Sequence, residues 1–125
     1  MVNELLLYIG SVVIAIWGIA HIIPIKDVVK GFEPISQDNK RVLTMSWIAE
    51  GFTMIFIGSL VLFLNASGLA QNPVSIIVFR ASGLMLVIMA VLTLLTGSRT
   101  AVIFFKLCPI VKVTVAVLFL GGTLL

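Results

Sequence analysis

Long runs of apolar residues alternate with shorter polar segments along the chain. Four almost wholly apolar stretches of about 20 residues cover positions 4–23, 43–64, 73–95 and 101–124. At a rise of about 1.5 Å per residue, a helix of this length crosses about 30 Å of hydrocarbon. The stretches lack the strict alternation typical of a membrane β-strand. The pattern predicts an all-α, polytopic membrane protein with one domain over residues 1–125, folded as an antiparallel bundle of four transmembrane helices.

Local signals mark the first connection, a long polar loop over residues 24–42. Pro24 is expected to end the first helix because proline cannot continue it. Residues 25–30 are expected to form a short turn at the membrane interface, ended by Gly31. Ser36 is a predicted N-cap. The second helix is therefore expected to begin in water, about two turns before its apolar stretch.

The ends of the last two helices are marked with different clarity. Asn72 followed by Pro73 is a typical helix start, with a capping side chain before a proline in the first position. Pro109 lies inside the fourth stretch, where it removes a backbone hydrogen bond. Two interpretations stay open. Either residues 101–124 form one kinked span, which we favour, or residues 99–108 lie along the interface and a shorter span begins near Pro109.

Composition supports the membrane assignment and excludes several other classes. Hydrophobic residues make up 61% of the chain and charged residues only 10%, whereas soluble domains carry about a quarter charged residues. The net charge of +3 comes from scattered residues, so no nucleic-acid partner is expected. A single cysteine excludes a disulfide scaffold. The lipid bilayer is the predicted environment.

The connections differ in their positive charge. The first and third hold Lys26, Lys30, Lys40, Arg41 and Arg99, whereas the second connection and both termini hold no lysine or arginine. Lysine and arginine accumulate on the cytoplasmic side of membrane proteins. We therefore expect both termini outside and the loop 24–42 in the cytoplasm, in a bacterial or archaeal cell inner membrane.

Glu50 is the most informative polar residue inside a predicted span. It lies about seven residues into the second apolar stretch and shares one helix face with Ser46 and Thr53. That polar stripe is expected to point into the bundle. An ionised carboxylate at this depth needs a cation or several hydrogen-bond donors. Glu50 is therefore either a proton-linked or substrate-binding group, or half of a structural ion pair between helices.

Two lysines occupy the fourth stretch. Lys112 lies near its middle, where a lysine cannot easily reach the headgroups, so we expect it to pair with Glu50. Lys106 lies nearer the predicted cytoplasmic face and is expected to extend its ammonium group to that surface.

His21 and Arg80 complete the candidate set. His21 follows a stripe of small residues, Ser11, Ala15 and Gly18, which permits close helix packing. It is interpreted either as a hydrogen-bonded interfacial residue or as a proton relay or haem or metal ligand. Arg80 lies about two turns inside the outer end of the third stretch. It either reaches the outer headgroups or binds an anionic lipid or substrate group.

Three aromatic residues are predicted interfacial anchors, namely Trp17, Trp47 and Phe32. The chain contains no phosphate loop, HExxH, CxxC or GxSxG motif, so no catalytic residues are assigned. One histidine without a cysteine cluster predicts no metal site. No cofactor is expected either, and haem or quinone would require a partner chain.

Residues 18–63, GIAHIIPIKDVVKGFEPISQDNKRVLTMSWIAEGFTMIFIGSLVLF, resemble the DoxX-like group of small four-helix membrane proteins. The matching positions are Gly18, His21, Pro24, Gly31, Arg41, Gly51 and Gly58. The resemblance implies a role as a partner of other proteins, because some members of that group associate with quinone-linked oxidoreductases. The length and the membrane carboxylate are also similar to those of small multidrug transporters. In that family, however, the key glutamate lies in the first helix.

These observations predict a small integral membrane protein that serves as a non-catalytic subunit or accessory of a larger membrane complex. Small size and sparse polar groups favour partner subunits or a homo-oligomer. Two alternatives stay open. One is an oligomeric small-solute or proton-coupled transporter that uses Glu50, and the other is a protein that binds quinone, haem or a lipid headgroup.

Overall fold

The computed structural model describes residues 2–124, and this part of the chain is helical, without strands. Its α-helices are α1 Glu4–Ile22, α2 Ile25–Gly31, α3 Gln37–Ala66, α4 Pro73–Leu95 and α5 Ile103–Leu124, with a 3-10 turn at Gly97–Arg99. The helices α1, α3, α4 and α5 are long and apolar enough to cross a membrane. The prediction of an all-α chain with four candidate membrane spans is therefore confirmed.

The first connection is largely helical, which changes the prediction of one long polar loop. α2 follows Pro24 and ends at Gly31, and α3 begins at Gln37. The Ser36 hydroxyl accepts a hydrogen bond from the Asn39 amide at 3.1 Å, which is the predicted N-cap. Because this cap lies before the apolar stretch, α3 has 30 residues and its first turns are polar. Only residues 32–36 between the two helices are not helical.

The later helices follow the sequence signals closely. α4 covers Pro73–Leu95, as predicted, and the Asn72 side chain accepts a hydrogen bond from the Val74 amide at 2.9 Å. α5 is one helix with Pro109 inside it. Residues 103–108 therefore belong to the same helix as the rest of the fourth stretch, which favours a single span over one that begins at Pro109.

Glycines bring α1 and α3 into backbone contact. A β-carbon added at Gly18 would lie 2.7 Å from the Gly51 carbonyl oxygen, and one at Gly58 would lie 2.6 Å from the Ser11 carbonyl oxygen. Such distances are closer than real β-carbons approach, so these positions require glycine. The paired residues run in opposite chain directions, because Gly18 meets Gly51 and Ser11 meets Gly58.

The four long helices differ in how extensively they pack against one another. α5 packs against both α1 and α4, whereas α3 and α4 touch only slightly although they are consecutive. The core consists of buried apolar side chains from all four helices, among them Leu7, Ile14, Met54, Phe79, Leu86 and Phe119. Many large apolar side chains remain exposed on the outer faces, as is typical of helices in contact with lipid. The weak contact between α3 and α4 leaves a groove between them.

The two ends of the molecule differ in chemistry. At one end, the backbone of Val2 exchanges hydrogen bonds with the Gln71 side chain at 3.0 and 3.2 Å, and the Asn3 amide donates to the Gly122 carbonyl at 2.7 Å. At the other end, α2 lies beside the start of α5, where Phe32 and Phe104 line one shallow cavity. The lysines and arginines of the first and third connections belong to this second end.

Candidate functional site

One polar cluster joins all four long helices. It consists of His21 from α1, Glu50 from α3, Thr93 from α4 and Lys112 from α5, and we call it the polar cluster. Three of these residues are candidates from the sequence. Thr93 is not, because one threonine in an apolar helix carries no signal of its own before its neighbours are known.

The predicted pairing of Lys112 with Glu50 is present at the centre of the cluster. The Lys112 ammonium donates to Glu50 Oε1, and it also donates to the Thr93 hydroxyl oxygen at 3.0 Å. The Lys112 side chain is fully buried, whereas 20% of the Glu50 side chain is exposed. The buried Lys112 ammonium therefore neutralises the Glu50 carboxylate from the protein interior, and the other side of the carboxylate remains accessible.

His21 lies on the other side of the carboxylate. Its Nε2 atom is 3.4 Å from Glu50 Oε2, but the geometry is not that of a hydrogen bond. Neither ring nitrogen has a hydrogen-bond partner among the described residues, although the side chain is fully buried. The imidazole ring stacks on Trp47, with ring centroids 4.2 Å apart and an angle of 12° between the planes. His21 is therefore a buried member of the cluster, and it lacks the side-chain hydrogen bond that the interfacial interpretation assigned to it.

Trp47 belongs to the core, which corrects its prediction as an interfacial anchor. Only 1% of its surface is exposed, and its indole N–H donates to the His21 carbonyl oxygen. Its ring also packs against Phe105, at a centroid distance of 4.7 Å. The physical reason is that α3 turns this face toward α1 through the close glycine contacts, so that the indole satisfies its polar group inside the protein.

The other two predicted anchors, Trp17 and Phe32, are half-buried. The Trp17 indole donates to the Cys108 sulfur at 3.3 Å, and that sulfur lies 3.9 Å from Glu50 Oε1. Trp17 therefore borders the polar cluster as well as the outer surface. Phe32 lines the shallow cavity between α2 and the start of α5.

A groove of about 380 Å³ between α3 and α4 leads to the polar cluster. The predicted polar stripe lines this open groove from the α3 side and does not face a closed bundle interior. The lining residues are Ser46, Ala49, Glu50, Thr53, Met85, Met89, Leu92, Thr93, Thr96, Gly97 and Phe105. The walls are mostly apolar, with the Glu50 carboxylate as the charged group among the lining residues.

The remaining two candidates lie away from the cluster. Arg80 is exposed at the opposite end of the molecule, where its Nη2 donates to the Thr123 carbonyl oxygen at 3.0 Å and its Nε to the Thr123 hydroxyl at 3.4 Å. It thereby satisfies a free carbonyl in the last turn of α5. Lys106 is exposed on the first turn of α5, where its side chain is free to extend outward.

The arrangement provides a partly accessible carboxylate in a mostly apolar groove. Within residues 2–124, no group of three or more His, Cys, Asp or Glu side chains is placed to hold a metal ion. The accessible side of the Glu50 carboxylate can accept hydrogen bonds from a group in the groove. No family model, curated protein or solved structure matches the chain.

Proposed function

We propose that the protein is a non-catalytic membrane protein that binds a lipophilic small molecule in the groove between α3 and α4, with the polar head of the molecule at Glu50. One observation carries the proposal. The Glu50 carboxylate lines an apolar groove on one side while a fully buried lysine neutralises it from the other. A purely structural ion pair has no need of an accessible side.

The groove has the size and lining of a ligand site. Small-molecule pockets occupy about 300–1,000 Å³ and combine apolar walls with a few polar groups, and the groove measures about 380 Å³. Met85, Met89, Leu92 and Phe105 supply an apolar wall suited to a hydrocarbon or ring. Methionine adapts well to irregular apolar ligands.

We further propose that the chain is an antiparallel four-helix bundle of a bacterial or archaeal inner membrane and belongs to the DoxX-like group. The opposite run of the paired residues in α1 and α3 supports the antiparallel arrangement. The basic residues of the first and third connections belong to one end of the helices, which supports a cytoplasmic position for that end and an outside position for both termini. A ligand dissolved in the membrane would then enter the groove sideways from lipid.

Filling the groove tests the proposal. Met85 lines the groove, whereas its neighbour Leu84 is exposed and does not. Met85→Trp should therefore exclude a ligand that Leu84→Trp still admits. The measurement is mass spectrometry of the organic extract from protein purified in mild detergent, normalised to protein.

We expect one lipophilic compound to copurify in near-stoichiometric amount with the original protein and with Leu84→Trp, and to be lost from Met85→Trp. Identical extracts from all three proteins, matching those of an unrelated membrane protein, would reject ligand binding in this groove.

A second candidate function is that of a non-catalytic subunit in a larger membrane complex. It is favoured by an exposed row on α3, in which Met45, Phe52, Phe56 and Phe63 share one face. Aromatic residues and methionine are enriched in protein interfaces. Replacing Phe52 and Phe56 by Leu keeps the helix apolar and should release a bound subunit in native gels. A single monomeric species before and after the change would oppose this role.

A further inference from the structure

We infer that the groove selects a ligand whose head is a neutral hydrogen-bond donor, that is, an alcohol or phenol hydroxyl, over heads that only accept hydrogen bonds or carry positive charge. This inference rests on the proposed ligand-binding function. It follows from counting which hydrogens and lone pairs the lining side chains leave free.

The threonine hydroxyls in the groove have already used their hydrogens. Each donates to the carbonyl oxygen four residues earlier in its own helix, Thr53 at 2.8 Å, Thr93 at 2.9 Å and Thr96 at 2.6 Å. A hydroxyl has one hydrogen and two lone pairs. The threonines therefore retain only accepting capacity toward a ligand.

The charged groups also leave an acceptor, and no free donor, for a ligand. An ionised carboxylate such as that of Glu50 can only accept hydrogen bonds. Lys112 could donate, but its side chain is fully buried and its ammonium group is directed to Glu50 and Thr93. Ser46 is exposed toward one end of the groove, and its hydroxyl can both donate and accept. A ligand hydroxyl can donate to Glu50 or a threonine and accept from Ser46.

Charge excludes the other class of donor. Glu50 and Lys112 already form a neutral pair, and a ligand ammonium would add a second cation that shares one carboxylate. Like charges in a poorly solvated site repel strongly. A neutral hydroxyl takes the free side of the carboxylate without disturbing the pair.

Three matched probes test the inference, namely 4-decylphenol, its methyl ether 4-decylanisole, and decylammonium. Binding to the full chain in lipid nanodiscs is measured by titration calorimetry, with empty nanodiscs subtracted. We expect the phenol to bind at least about tenfold more tightly than the ether, which is the effect of one hydrogen bond to a charged acceptor. Decylammonium should also bind at least about tenfold more weakly than the phenol.

Side-chain variants assign the preference to the groove. Thr53→Val and Thr96→Val remove the uncharged acceptors while Glu50 remains, so each should lower phenol affinity only in part, by about two- to tenfold, and leave ether affinity unchanged. Thr114→Val is the matched control, because Thr114 makes the same bond to the Ile110 carbonyl at 2.7 Å on an exposed face outside the groove. Circular dichroism confirms that each variant is folded.

The outcomes separate the two proposals. Binding of none of the probes would reject ligand binding in the groove itself. Equal binding of phenol and ether, or tighter binding of the ether or the ammonium, would preserve a lipophilic site but overturn selection for a neutral donor. Equal loss of phenol affinity in Thr114→Val would also overturn the assignment to the groove.

Discussion

The ion pair between Glu50 and Lys112 predicts an unequal response to the removal of either partner. Glu50→Gln removes the negative charge and leaves a fully buried ammonium group with only neutral acceptors, the Thr93 hydroxyl and the new amide oxygen. Removing one partner of a buried pair costs about 3–5 kcal/mol. Lys112→Met leaves a carboxylate that is 20% exposed, so its cost should be smaller, about 1–3 kcal/mol. The double variant removes both charges and should lose less stability than Glu50→Gln alone.

The assay is reversible unfolding of the purified chain in detergent, followed by circular dichroism and tryptophan fluorescence for all four proteins. We expect a favourable coupling free energy of at least about 2 kcal/mol between the two positions. If the double variant lost the sum of the two single effects, the charges would be independent and the proposed electrostatic coupling would be refuted. An unchanged stability of Glu50→Gln would equally refute the desolvation argument.

Two further substitutions probe the packing that holds the polar cluster. Gly58→Ala should destabilise the protein by about 1–3 kcal/mol, because the new methyl group meets the Ser11 carbonyl. Gly121→Ala is the control, because a methyl group at Gly121 would meet nothing within 4 Å, and it should be neutral or slightly stabilising in the same unfolding assay. An equal loss of stability in both variants would contradict the close contact at Gly58. Trp47→Phe should cost about 1–3 kcal/mol by leaving the His21 carbonyl without its donor; unchanged thermal stability would contradict a structural role for that bond.

Helix positions along the chain could be predicted because they depend on local chemistry. The bounds of α4 follow from the Asn72 cap and Pro73, and the early start of α3 follows from Ser36. The pairing of Glu50 with Lys112 could be predicted because two opposite charges at similar depth in an apolar medium have few other partners. None of these inferences requires knowledge of how a helix is rotated about its axis.

The sequence pattern does not reveal how each helix is rotated about its axis or which helices pack against each other. Trp47 lies where an interfacial aromatic is expected, but the contact of α1 with α3 turns it onto His21. Thr93 is one of several hydroxyl residues, and its role depends on the Lys112 ammonium that reaches it from α5. The groove is a property of two helices that barely touch, so no pattern within either helix predicts it.

The groove and the polar cluster have a common origin in this uneven packing. Glycines draw α3 onto α1, and α5 packs against α1 and α4, so the interface between α3 and α4 remains incomplete. Through Glu50, Lys112 and Thr93, hydrogen bonds connect α3 to α5 and α5 to α4 beneath this gap. The ion pair therefore both links α3 to α5 and supplies the charged group that lines the groove. Substitutions of Glu50 consequently change the stability of the fold and the contact with a ligand together. Thr53→Val and Thr96→Val change the groove surface and leave the ion pair intact.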